Sequence, residues 1–266
     1  RGGSLRSSVH LHVLEPAREL LQRFGAHSNG RGFLAANVRD PWHRSPSFMG
    51  TDADLDGGGG GALLGEARVF MAGLSDEAGA AAPLAMAVKQ LGAPVATEIA
   101  HLEDYVHETL WVGGGDRREF LQGRDYGVRA SMLFWNDELQ SDNRSAAAVA
   151  PAVAATCGKC WPKCYWMHCW SEKRSLESWR AYNYPHVAAV YWALYRLSRH
   201  YSPAPTRRAK WEWYLTQAAE TVKGMWNHAG KGGGTSFALL RRARMRVAVG
   251  VHEAHDAKER DAMFAG

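Results

Sequence analysis

The sequence predicts a mainly α protein built from helical hairpins. Three observations carry this reading. Apolar residues recur at three- and four-residue steps through residues 94–111, 187–201 and 211–225. Proline opens and glycine or proline closes several of these runs. Strand-like segments do not alternate with the helical ones, which argues against a parallel α/β fold.

Taken in order, "LEPARELLQRFG" (Leu14 to Gly25) reads as a short helix, with Pro16 in its first turn and Gly25 as its stop. Residues 31–56 are rich in Gly, Pro, Ser and Asp and run into the five glycines Gly57 to Gly61. Ala67 to Leu74 is a short apolar run suited to an extended segment. "AAPLAMAVKQLG" reads as a helix closed by Gly92. In the next run, after Pro94, the residues Val95, Ile99, Leu102, Val106 and Leu110 share one stripe. Glu98, Glu103, Asp104 and Glu108 take other faces, and Glu103 and Asp104 read as solvated. A long helix follows Pro185, with Val187, Val190, Leu194, Leu197 and Tyr201 aligned. "SPAPT" stops it, and Thr206 can cap a last helix carrying Trp211, Leu215, Ala218, Val222 and Met225. These two helices with a Pro-rich turn make a hairpin. The chain thus divides into an irregular segment 1–61 with its glycine-rich loop, a helical domain 62–237, and an atypical basic tail 238–266.

The 266 residues are 46% hydrophobic, enough for a sizeable core. Eleven Trp are the outlier, because an indole N–H asks for a partner when buried and favours cleft surfaces. The net charge of +5 is spread along the chain, so nucleic acid is not the expected partner. No apolar run approaches the ~20 residues of a membrane span, and no secretory leader is visible at Arg1. The cysteines Cys157, Cys160, Cys164 and Cys169 fall in one stretch. They could hold zinc, form local disulfides or stay as thiols. No metal or cofactor is expected: His101, His107 and His168 show no metal spacing with carboxylates. "GMWNHAGKGGGTS" fails as a phosphate loop, since its glycines are one residue too far apart and Lys231 precedes Gly232. Asn143-Arg144-Ser145 is a glycosylation sequon.

Five segments, "VFMAGLSDEAG", "EIAHLEDYVHETLW", "YGVRASMLFWN", "SWRAYNYPHVAAVYWALYRLSRHY" and "WEWYLTQAAETVKGMW…GGGTSFA", occur in this order over residues 67–237. Together they resemble an uncharacterised microbial family placed among the six-hairpin glycosidase-like proteins. The resemblance implies an (α/α) toroid and, by wider analogy, action on carbohydrate; the expected location is extracellular. A chain of this length with an irregular first quarter holds fewer helices than a full toroid, so an incomplete toroid is expected.

Glycoside hydrolysis needs two carboxyl groups flanking the scissile bond. The candidates are Asp76 and Glu77 in "AGLSDEAG", and Asp137 and Glu138 after Trp135, whose indole could stack on a sugar. Asp76 could instead cap a helix. "WRAYNYPH" places Trp179, Tyr182 and Tyr184 as flat faces beside the hydrogen-bonding Arg180, Asn183 and His186. If Pro185 starts the helix, these residues form the loop before it and a sugar-contacting surface. Glu212, between Trp211 and Trp213, reads chiefly as a carboxylate favouring a helix dipole. The expected function is therefore a glycoside hydrolase with a Trp/Tyr-lined cleft for a glycan or oligosaccharide. The alternative is a non-catalytic helical glycan-binding or scaffold protein.

Overall fold

The computed structural model describes residues 15–37, 45–48, 79–111, 113, 120–132 and 172–229. Over these residues the fold is mainly helical, and extended pairing is limited to isolated bridges. The glycine run Gly57 to Gly61, the segment Ala67 to Leu74, the four cysteines, the sequon and the tail lie outside the described residues.

Helix α1 (Ala17–His27) does not stop at Gly25; it runs on into a wider π-type turn, Ser28–Gly32. Gly25 has a different task. A Cβ there would lie 2.6 Å from Glu98 Oε1 and 2.7 Å from Lys89 Nζ. The glycine therefore lets the backbone of α1 press onto a buried ion pair. Helix α2 (Ala81–Gly92) ends where the sequence places its glycine. Helix α3 (Ala96–Tyr105) continues through the π-type turn Val106–Leu110 into Trp111. Ile99, Leu102, Val106 and Leu110 are buried as their spacing predicts, while Val95 stays at the surface.

The acidic residues of α3 depart from expectation. Glu98 is buried, 2.6 Å from Lys89 Nζ, and also accepts from Gln90 Nε2. Glu103 is only 2% exposed, not solvated. A buried carboxylate is tolerated when its oxygens are bonded; Glu98 finds its partners on the preceding helix, and Glu103 finds its own about a hundred residues further along the chain.

After the short α4 (Glu172–Ser175), two long helices form the hairpin: α5 (Asn183–His200) and α6 (Trp211–Ala229). They pack on each other, and α5 also packs on α2. Val187, Val190, Leu194 and Leu197 form the buried stripe of α5. Tyr201 is at the surface, its hydroxyl donating to the carbonyl of Leu91 at the end of α2. Helix α6 begins later than a cap at Thr206 would place it. The N–H groups of Arg207 and Arg208 point to Glu103, so this stretch is tied to α3 and not wound into the helix. The hydroxyl of Thr206 is buried with no hydrogen-bond partner.

The buried face of α6 is also rotated from the apolar stripe. Tyr214, Gln217, Ala218, Thr221, Gly224 and Met225 face inward, whereas Trp211, Leu215 and Val222 are half-buried. The polar members fit because a buried chain of hydrogen bonds receives them. Tyr191 donates to Gln122 Oε1 at 2.9 Å, and Gln122 Nε2 donates to the hydroxyl of Thr221 at 2.8 Å. Gln122 belongs to an extended segment, 120–132, that threads the helices and buries Leu121, Val128, Ala130 and Met132. Among the described residues no helix is long and apolar enough to cross a membrane.

Candidate functional site

The extension of α3 ends in Trp111, and α6 starts at Trp211. Between them lies an open cleft of about 600 Å³, lined by His107, Trp111, Arg208, Lys210, Glu212 and Trp213. Its two walls come from residues about a hundred positions apart in the chain, so something must hold them together.

Glu103 does this. Its Oε1 accepts from the N–H groups of Arg207 and Arg208 at 3.0 and 2.8 Å, and from the hydroxyl of Tyr214 at 2.7 Å. Its Oε2 accepts from the N–H of Arg207 at 2.9 Å. The guanidinium of Arg208 then turns back onto α3, 2.5 Å from Asp104 and 2.6 Å from Glu108. Three acidic residues of α3 and its extension thus grip two consecutive residues of the α5–α6 connection. Charge-assisted bonds of this kind are shorter and stronger than neutral ones.

The aromatic lining is fixed by stacking. Trp213 lies 4.8 Å from the ring of His107 with 26° between the planes, and Trp111 lies 5.0 Å from Tyr126. Tyr126 takes a left-handed φ of 59°, held by its N–H to the carbonyl of Gly123. Burial pushes the pKa of His107 below the usual histidine value, and the cation of Arg208 pushes the same way. Glu103, Glu108 and Asp104 act against them without reversing the shift. The ring is therefore neutral at neutral pH, and its buried Nε2 has no hydrogen-bond partner. The cleft offers two indole faces, a neutral imidazole, the ammonium of Lys210 and the exposed carboxylate of Glu212. Flat apolar faces rimmed by a few polar groups are what a polar ring ligand needs. Among the described residues no cluster of His, Cys, Asp and Glu could hold a metal ion.

The sequence-predicted residues divide. Asp76, Glu77, Trp135, Asp137 and Glu138 lie outside the described residues. Within "WRAYNYPH", α5 begins at Asn183, two residues before Pro185, so part of the expected loop is the first helical turn. That turn faces inward. The amide of Asn183 is fully buried and donates to the carbonyls of Arg129 and Ala130. The buried Tyr184 donates its hydroxyl to the carbonyl of Ser178. These two side chains hold the extended segment and the approach to α5, and a ligand at the surface does not reach them.

Trp179 and Tyr182 remain at the surface, with exposures of 40% and 39%, and Arg180 and His186 are half-buried. The indole of Trp179 donates to Glu177, and His186 donates from Nδ1 to the carbonyl of Tyr182. This surface is distinct from the cleft. Tyr191 of α5 meets Trp213 at 5.9 Å, and nine residues of helix put Tyr182 about 14 Å further along the axis.

In the sequence His107 shows no metal spacing and nothing else that marks it, and Glu212 reads chiefly as a helix-end carboxylate. "WEW" was the available signal, two indoles flanking a carboxylate. Its partner His107 has no such signature, because the stack depends on how α3 meets α6.

Residues 3–240 match the family described as "Family of unknown function (DUF5695)", and the chain belongs to that family. No curated protein and no solved structure matches it.

Proposed function

We propose that this member of the DUF5695 family is a carbohydrate-active protein that holds a sugar ring in the cleft between Trp111 and Trp213. The observation that carries the reading is the pairing of two indole faces with His107, Lys210 and Glu212 in one open cleft. Sugar C–H faces pack on indoles, and hydroxyls take the polar groups at the rim. In this reading the hairpin of α5 and α6 is part of an (α/α) toroid, the glycan is met outside the cell, and Trp179 and Tyr182 offer a second sugar-contacting surface.

Hydrolysis at the cleft would set Glu212 against a second carboxyl across the scissile bond. Glu108 is engaged by Arg208, so the second carboxyl is sought in Asp76, Glu77, Asp137 or Glu138. That same engagement favours the second reading, a glycan-binding protein without hydrolysis.

A glycan array and a hydrolysis screen on the whole chain separate these. Trp213→Ala is expected to weaken glycan binding about tenfold, as for a lost interaction of ~1.4 kcal/mol. Glu212→Gln is expected to abolish hydrolysis while sparing binding. Binding without turnover of any glycan would leave the non-catalytic reading. Absence of binding to every glycan would remove both.

A further inference from the structure

His107 sits where the cleft wall, the indole of Trp213 and the buried carboxylate meet. Its ring stacks on Trp213 and meets Tyr214 edge-on at 6.3 Å. Tyr214 in turn donates to Glu103, which holds the backbone of Arg207 and Arg208. The imidazole is thus wedged between the residues that join the two walls.

A neutral imidazole suits this position, because it presents a flat face and has a single N–H to satisfy. An imidazolium does not. Both its nitrogens carry N–H, and Nε2 is shielded from solvent with nothing to accept its proton. The indole face attracts a cation, but it does not replace a hydrogen-bond acceptor for a buried N–H.

Charged groups face His107 from each element packed against it. On its own segment His107 has Glu103, Asp104 and Glu108. Glu103 is committed to two backbone N–H groups and Tyr214, and Asp104 and Glu108 both hold Arg208. From the α5–α6 connection come the cations Arg208 and Lys210, and from α6 come Glu212 and Tyr214. Asp104 and Glu108 are partly exposed and both favour the charged imidazole, so they are the carboxylates open to an added positive charge.

We propose that His107 is a pH-operated latch on the cleft: neutral, it stays stacked on Trp213 and forms the wall; protonated, it leaves the stack toward Asp104 and Glu108 and the wall opens. The latch follows from the geometry of the wall and holds whatever the cleft binds. Burial and Arg208 both hold the ring neutral at neutral pH, so opening belongs to mildly acidic conditions.

The test uses the whole chain without ligand. The ring protons of His107 are followed by NMR against pH. In parallel, the fluorescence of Trp213 is isolated as the difference between the parent and Trp213→Phe. The expected result is one shared transition, below the usual histidine range, in both signals. In His107→Gln the Trp213 transition disappears. The latch is overturned if His107 titrates with no change at Trp213, or if the Trp213 transition survives in His107→Gln. The NMR and Trp213 difference measurements need no substitution at His107, so a misfolded His107→Gln chain does not blunt the test.

Discussion

Glu103 shows how one side chain can decide a local architecture. A carboxylate at 2% exposure is costly unless its oxygens are occupied, and here four hydrogen bonds occupy them. Glutamine is nearly the same size but presents an NH₂ where one oxygen stood, facing an N–H of Arg207. Glu103→Gln therefore sets donor against donor, and Glu103→Ala leaves two backbone N–H groups and a tyrosine hydroxyl unpaired. Either variant is expected to lose about 3 kcal/mol, read as a shift in the urea midpoint at constant slope. A loss under ~0.5 kcal/mol would mean that water replaces the carboxylate at little cost. The residue was misread from sequence because a glutamate beside an aspartate on a helix reads as a solvated face. Its partners lie 104, 105 and 111 residues away, and no local pattern encodes them. Gly25 was misread for the same reason: a glycine after an apolar run reads as a helix stop, whereas this one is fixed by Lys89 and Glu98 pressing from outside the helix.

Existence and order of α1, α2, α3, α5 and α6 were legible because periodicity is a property of each segment alone, whereas the four-residue α4 is too short to show a period. The bounds of α2 and the core stripe of α5 follow from it directly. What lies inside α6 was less legible, since its buried face includes Gln217 and Thr221. Those residues are apolar neither in kind nor in role; they face inward because Gln122 of the extended segment needs a partner there. The same segment dictates Gly224. A Cβ at this position would lie 2.8 Å from Tyr126 Cβ and 2.9 Å from the Tyr126 carbonyl carbon. The obstacle is mainly backbone in a left-handed turn, which cannot step aside as a side-chain tip can. Gly224→Ala gains about 1 kcal/mol in helix propensity, yet it must push α6 off the turn that carries Tyr126. Tyr126 in turn supports Trp111 of the cleft. The expected result is a net loss of about 1–3 kcal/mol, as for overpacking of a filled site, with altered tryptophan fluorescence. A stabilised variant would mean that the turn moves freely. The cleft itself was the least legible feature, because it exists only where α3 and α6 meet.

Among the described residues, His101 and His107 join separate parts of the chain in their neutral form. His101 stacks on Phe33 at 3.8 Å and lies 2.6 Å from Asn29 through Nδ1, tying the first helical segment to α3. The Asn29 oxygen is an acceptor, so Nδ1 carries the proton there. His107 ties α3 to α6 through Trp213. Both have pKa values below the ordinary one. For His101, burial dominates over the opposing Asp104 and Glu98; for His107, burial and Arg208 dominate over the nearby carboxylates. In the unfolded chain each returns to about 6.5. Between the folded and unfolded values the unfolded chain binds more protons, so stability rises with pH. The contribution is therefore complete above the unfolded value and is lost as pH falls through the window below it. The thermal midpoint of the parent should fall from about pH 7 to about pH 5, the span over which an ordinary histidine gains its proton. His101→Phe and His107→Phe remove the titrating groups while keeping a flat ring in each stack. Their midpoints should fall less over the same interval, with the double variant flattest if the two sites act independently. Parallel curves for the parent and the double variant would show that neither histidine couples folding to protonation.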